Sequence, residues 1–176
     1  MIIRIATVVQ MTERGAPQPL NPSTPQPLQN TQPMLFTKEE ESRILQAIQV
    51  AERGTSGEIR LFIEDFCLRD HPVERAEEVF QLFGMFNTKN RNAVLIYLAE
   101  KSRHFALWGD AGIHERVGFQ FWEDEKRLLR DHLQQDDAVG GISEVISLIG
   151  NRLRTHFPSD ENHDDNELPD EIIYGD

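Results

Sequence analysis

The sequence predicts an α/β sandwich built on a small mixed sheet, a parallel pair of strands plus an antiparallel hairpin. Three observations carry this. Residues 57–64 (GEIRLFIE) and 92–99 (NAVLIYLA) read as buried strands separated by a helix-length segment, and residues 103–110 (RHFALWGD) follow after only a few residues. A crossover of the first length joins parallel strands, whereas the short 100–102 link makes only an antiparallel hairpin.

Each element has a local reason. Thr37-Lys38-Glu39-Glu40 is a capping box, and Ile44, Leu45, Ile48 and Ala51 form the apolar stripe of the helix it opens, with Gly54 as a left-handed cap. The first strand alternates only weakly, Ile59, Leu61 and Ile63 against Arg60, Phe62 and Glu64, as a sheet covered on both faces requires. Pro72 suits a first helical turn, and Ala76, Val79, Phe80 and Phe83 repeat at helical spacing. Asn87-Thr88-Lys89-Asn90 is a polar turn before the second strand, whose continuous apolar run places it at the sheet centre. A short helix is predicted over 113–119 and a longer one over 121–135, with Trp122, Leu129 and Leu133 on one stripe. Asp136 or Asp137 caps the last helix, whose core face is Ala138, Ile142, Val145, Ile146, Ile149 and Leu153, and Pro158 ends it. Three strands make a thin sheet, so a fourth is expected from the leader or the tail.

A chain of 176 residues, 39% of them hydrophobic, suits one domain plus tails. The expected division is a disordered Pro- and Gln-rich leader at 1–34 (with Met11 and Met34 as alternative starts), a domain at 35–158 and an acidic tail at 159–176. A net charge of −12 and a pI near 4.9 argue against a nucleic-acid backbone or an anionic membrane as partner. The tail holds eight acidic residues and no Lys or Arg, leaving about −4 for the rest. Cys67 alone excludes an internal disulfide, and no apolar run is long enough to span a membrane. The six histidines show no HxxxH or HxH pair, which argues against zinc, and no Gly-x-Ser-x-Gly elbow is present.

In combination, FTKEEESRILQAIQVAERGTSGEIRLFIE, RNAVLIYLAEKSRHFALWGDAGI, FW, HFP and NELPDEI resemble the TPM-domain family, most closely its short soluble bacterial branch, over about residues 35–174. The resemblance implies a Rossmann-like α/β/α sandwich. One branch of that family is linked to acid phosphatase activity and photosystem repair in thylakoids. Calcium binding and accessory roles beside membrane proteins are also attributed to members. Asp110 stands where the family often has tyrosine, and Ala93 where it often has glycine.

The predicted topology gathers Thr55-Ser56-Gly57-Glu58, Asn90-Arg91-Asn92 and Gly109-Asp110-Ala111-Gly112 at one end of the sheet. There Glu58 and Asp110 offer hard oxygen ligands, Asn92, Thr55, Ser56 and backbone carbonyls complete a calcium shell, and Glu115 reaches the same place. The bland alternative is turn chemistry: glycines at positive φ, Asn92 capping a strand end and Glu58 paired with Arg91. Ligands of open α/β sheets usually sit at the opposite end, beyond the carboxyl ends of parallel strands. That rule points to Glu64, Asp65, Asp70 and Glu100 for Mg²⁺ or Ca²⁺, with Lys101 beside them, or to a solvated loop. Asp65 and Asp110 are the candidate catalytic groups should the protein transfer phosphoryl groups. A third candidate is an EF-hand-like spacing at Asp160, Asn162, Asp164, Asn166 and Glu171, spoiled by Asp165 at the glycine position and by Pro169.

The expected function is therefore a cytoplasmic TPM-domain protein that binds a divalent cation, calcium before magnesium. It would act as an accessory or interaction module for another protein, a membrane-bound one included. Neither nucleic acid nor direct membrane insertion is expected. A metal-dependent acid phosphatase of modest activity is the alternative, and a metal-free adaptor the third reading.

Overall fold

The structure is a computed structural model that describes residues 35–159, 168–169 and 171–175. The leader and the EF-hand-spaced Asp160, Asn162, Asp164 and Asn166 lie outside the described residues. In chain order the elements are α1 (Lys38–Glu52), β1 (Ile59–Glu64), α2 (Pro72–Leu82), a 3₁₀ turn (Met85–Asn87), β2 (Val94–Ala99), β3 (His104–Gly109), α3 (Ala111–Gln134), α4 (Ala138–His156) and β4 (Ile172–Tyr174).

The sheet has the order β3-β2-β1-β4. β1 and β2 run parallel, with Ile59 opposite Val94 and Glu64 opposite Ala99, and β2 and β3 form the antiparallel hairpin expected from their short link. The fourth strand comes from the tail. Ile172–Tyr174 adds parallel to β1, and the Gly175 amide donates to the Ile63 carbonyl at 2.7 Å.

Every residue of β1 and β2 is buried, so helices must cover both faces. Ile59, Leu61, Ile63, Val94, Ile96 and Leu98 pack against α1, α3 and α4. Phe62, Leu95, Tyr97, Ala106 and Trp108 pack against α2 and the 3₁₀ turn. Trp122 is fully buried and Trp108 nearly so, in keeping with core roles for both.

The helix ends follow the sequence. Thr37 and Glu40 form the capping box reciprocally, Thr37 N donating to Glu40 Oε2 at 2.8 Å and Glu40 N to Thr37 Oγ1 at 3.3 Å. Asp137 is the cap of α4, accepting from the Gly140 amide at 3.0 Å. The two helices expected at 113–119 and 121–135 form one run, broken by Gly118 at φ 75° and ψ 175°. That left-handed residue lets the chain re-aim, so that Ile113 and then Phe121 and Trp122 all reach the same core.

Two charged residues on α3 depart from a simple amphipathic pattern. Glu125 and Lys126 are both buried, and Glu125 Oε2 has no hydrogen-bond partner. Burial pushes the Glu125 carboxyl up to about 7, Asp124 adding to the effect and Arg152 opposing it. The unfolded chain ionises this group at the ordinary carboxylate pKa, whereas the folded chain resists ionisation. Its contribution to stability is thus complete below pH 4.5 and lost as pH rises through 7. Glu125→Gln should flatten that decline and raise stability at pH 8 by about 2 kcal/mol, read from urea unfolding curves at pH 4.5, 6 and 8. An unchanged pH profile in the variant would show that Glu125 is not the titrating group.

Candidate functional site

The N-terminal ends of β1 and β2 and the C-terminal end of β3 form one edge of the sheet, where the three expected loops meet. Backbone bonds fix them before any side chain takes part. Val94 N donates to Glu58 O at 2.7 Å, Asp110 N to Ala93 O at 2.9 Å, and Gly112 N to Arg91 O at 2.8 Å.

Gly112 shows how tightly they close. A Cβ there would lie 2.1 Å from the Asn90 carbonyl oxygen and 2.7 Å from that of Arg91. Both obstacles are backbone, which cannot swing aside as a side chain can.

On this frame the polar side chains form two groups. Ser56 Oγ accepts from Asn90 Nδ2 at 2.9 Å and from Asn92 Nδ2 at 3.2 Å. The Asn92 main-chain amide bonds Thr88 Oγ1, while its carboxamide oxygen is buried without a partner. Such an orphaned acceptor carries an uncompensated desolvation cost. Thr55 is turned away, its hydroxyl donating to the Phe157 carbonyl at 2.8 Å and accepting from the Gly57 amide at 3.1 Å.

The second group is an ion pair. Arg91 Nε and Nη2 hold Asp110 Oδ2 and Oδ1 at 2.6 and 2.7 Å, and the Ala111 amide donates to Oδ1 at 2.8 Å as the cap of α3. The partners differ in exposure, 5% for the Asp110 side chain against 52% for that of Arg91. Asp110 holds the guanidinium pKa above its usual value, chiefly through these hydrogen bonds. Arg91 also sits at φ 52°, a left-handed conformation unusual for a side-chain-bearing residue. The pairing partner of Arg91 is thus Asp110, where the turn-chemistry alternative expected Glu58. Glu58 itself is buried.

Beside this pair lies a cavity of about 190 Å³, lined by Glu77 and Gln81 of α2, Arg91, Trp108, Asp110 and Glu115. Glu115 thus lines the same cavity as Asp110, while Glu58 and Asn92 are not among its lining residues. Glu77 and Gln81 were not legible as site residues, because only the packing of α2 against β3 brings them there. Among the described residues no group of three His, Cys, Asp or Glu side chains is placed to hold a metal ion, so a cation would draw on Asn, Ser and main-chain oxygens as well.

The carboxylates of the opposite end do not converge. Glu64, 2% exposed, accepts from Tyr97 Oη at 2.6 Å and from Arg75 Nε and Nη2 at 2.9 and 2.7 Å, tying α2 to the sheet. The Tyr97 phenol is pushed well up, by burial first and by its neighbours Cys67 and Glu64 next. Asp65 forms a solvated pair with Lys101 at 2.5 Å, and Asp70 is exposed on the loop after β1. Glu100 lines a separate cavity of about 430 Å³ on the α1–α4 side with Arg43, Arg103 and His104. Glu171, the last position of the EF-hand spacing, lies 3.9 Å from the buried Arg60.

A family model described as the TPM domain matches residues 30–152. The solution structure of the BA42 protein from the psychrophilic bacterium Bizionia argentinensis is similar at 36% identity and a TM-score of 0.75, covering 83% of this chain and 99% of that one. The N-terminal domain of the cg2496 protein from Corynebacterium glutamicum shares the fold at 12% identity and a TM-score of 0.55, covering 79% of this chain and 80% of that one. No curated protein matches. No helix of the described residues is long and apolar enough to cross a membrane.

The close approach at Gly112 gives a test of the frame that leaves every polar side chain in place. Gly112→Ala should destabilise the fold by about 2–3 kcal/mol, read as a lower urea midpoint, with the largest amide shifts at residues 90–92. A substitution within about 0.5 kcal/mol of neutral would mean that the loops are not locked together.

Proposed function

The chain belongs to the TPM-domain family, and we propose that this protein is a divalent-cation-binding accessory module whose site is the edge around Asp110, with calcium as the cation. The observation that supports this most is the imbalance in the Asp110–Arg91 pair. A carboxylate is held in a buried position while its countercharge stands half in solvent. A small divalent cation is a stronger partner for such a carboxylate than a hydrated guanidinium. Further oxygens lie along the same edge in the Ser56–Asn92 cluster, and Gln81 lines the adjoining cavity.

The accessory role has separate support at the other end of the sheet. Phe66 and Leu68, 56% and 64% exposed, project from the loop between β1 and α2. Paired large apolar side chains on a short loop suit contact with another protein. Enzymatic use is less well supported, because Asp65 is tied up in a solvated pair with Lys101 and Glu64 is enclosed by Arg75 and Tyr97.

A thermal melt of the full chain with and without calcium tests this reading. A cation at a hundredfold excess over its Kd should stabilise the folded state by about 2.7 kcal/mol, several degrees in Tm, and the increment should vanish in Asp110→Asn. The increment is the quantity to compare, since the substitution also weakens the ion pair and the cap of α3. An equal increment in both proteins would move the site elsewhere, and none in the wild type would remove the cation. Turnover of p-nitrophenyl phosphate that Asp110→Asn abolishes would favour the phosphatase alternative.

A further inference from the structure

We propose that the cavity at the carboxyl end of β2 binds a small zwitterion with an apolar side group, an aliphatic amino acid. The proposal is independent of the cation reading, which concerns the other end of the sheet.

Position and shape come first. The cavity measures about 430 Å³, within the usual range for small-molecule sites, and lies where β2 ends at Ala99 and passes into Glu100. Ligands of open α/β sheets gather at that end of the parallel strands. The walls come from the entry to α1, the β2–β3 hairpin and the turn between α3 and α4. Phe36, Leu98, Leu133 and Val139 supply the apolar part, and all four belong to the buried core, which fixes its shape.

The charged lining decides the ligand. Glu40 is committed to the capping box with Thr37, and Asp137 to the Gly140 amide and His132. Arg103 and Asp136 are engaged as well. Two charges remain, the Arg43 guanidinium and the Glu100 carboxylate. Both line the cavity, yet among the described residues neither side chain makes a hydrogen bond or a close ion pair, with the other included. Glu40 and Asp137 act on Arg43 through charge alone. One donor fork and one carboxylate beside an apolar wall match the carboxylate and the ammonium of an amino acid. A simple anion would desolvate Glu100 without pairing it, and a simple amine would do the same to Arg43.

The rim and the histidine fit this use. Arg103 closes the hairpin at φ 56° and Asp136 closes the end of α3 at φ 61°, left-handed positions where glycine would cost less. Their charged side chains make the rim of the cavity polar. His104 lines the same cavity, while its Nδ1 is enclosed without a hydrogen-bond partner. A half-turn of the ring towards a polar ligand removes that cost.

Two-dimensional NMR of the full chain tests this by titration with L-leucine, isoamylamine, which lacks the carboxylate, and 4-methylpentanoate, which lacks the ammonium. Leucine should give saturable shifts at the amides of Ala99, Glu100, His104 and Val139. Each analogue should bind roughly ten- to hundredfold more weakly, the range expected for losing one charge-assisted contact. Arg43→Gln should erase the preference for leucine over isoamylamine, and Glu100→Gln the preference over 4-methylpentanoate. Spectra unchanged away from the cavity show that each variant keeps the fold. Absence of saturable shifts at these amides with millimolar leucine would overturn the site. Binding of either analogue as tight as leucine, or unaltered preferences in both variants, would overturn the zwitterion.

Discussion

The parallel ladder between β1 and β2 is the constraint on which the rest of the structure depends. Its strands are buried on both faces along their whole length, so main-chain polar groups must find partners in the sheet or in a side chain that reaches it, as Ile59 N does in Glu52 Oε1, and every side chain must meet another element. Two separate cores follow, one under α1, α3 and α4 and one under α2. Burying one large apolar side chain contributes about 1.5–3 kcal/mol, and these strands bury several on each side. The same enclosure makes polar residues in β1 costly. Glu64 is compensated by Arg75 and Tyr97, and Arg60 lies near Glu171 just before the strand that the tail adds. The tail strand thus covers the free edge of β1 and brings an acidic residue towards its buried arginine.

The two ends of the sheet treat buried carboxylates differently. Glu64 is closed in by a largely buried arginine and a fully buried tyrosine, an arrangement suited to holding α2 in place. Asp110 is equally hidden, yet its arginine stands in solvent beside a cavity. The first countercharge is enclosed with its carboxylate, and the second is half open to solvent.

Much of the fold was legible in the residues. The capping box at Thr37, the two helical patterns at 113–119 and 121–135, the cap at Asp137 and the hairpin link at 100–102 each depend on neighbours within a few positions, whereas the break itself falls at Gly118, inside the first pattern. Parallel pairing followed from crossover length alone, since a helix-length connection returns the chain to the same end of the sheet. The convergence of 55–58, 90–92 and 109–112 followed from that topology. The source of the fourth strand did not, because three residues with partial burial carry too short a pattern to distinguish from a loop.

At the candidate site the sequence determined which loops meet and which oxygen-bearing side chains they carry. Only the tertiary structure decided their partners: Arg91 on Asp110 rather than on Glu58, Asn90 and Asn92 sharing Ser56, and Glu77 and Gln81 arriving from α2. The divide has a physical cause. Helix caps, turns and strand periodicity are set by local sterics and by hydrogen bonds over three or four residues. A salt bridge between positions 91 and 110 and a cavity wall shared by α2 and α3 depend on side-chain directions fixed only once both cores have packed.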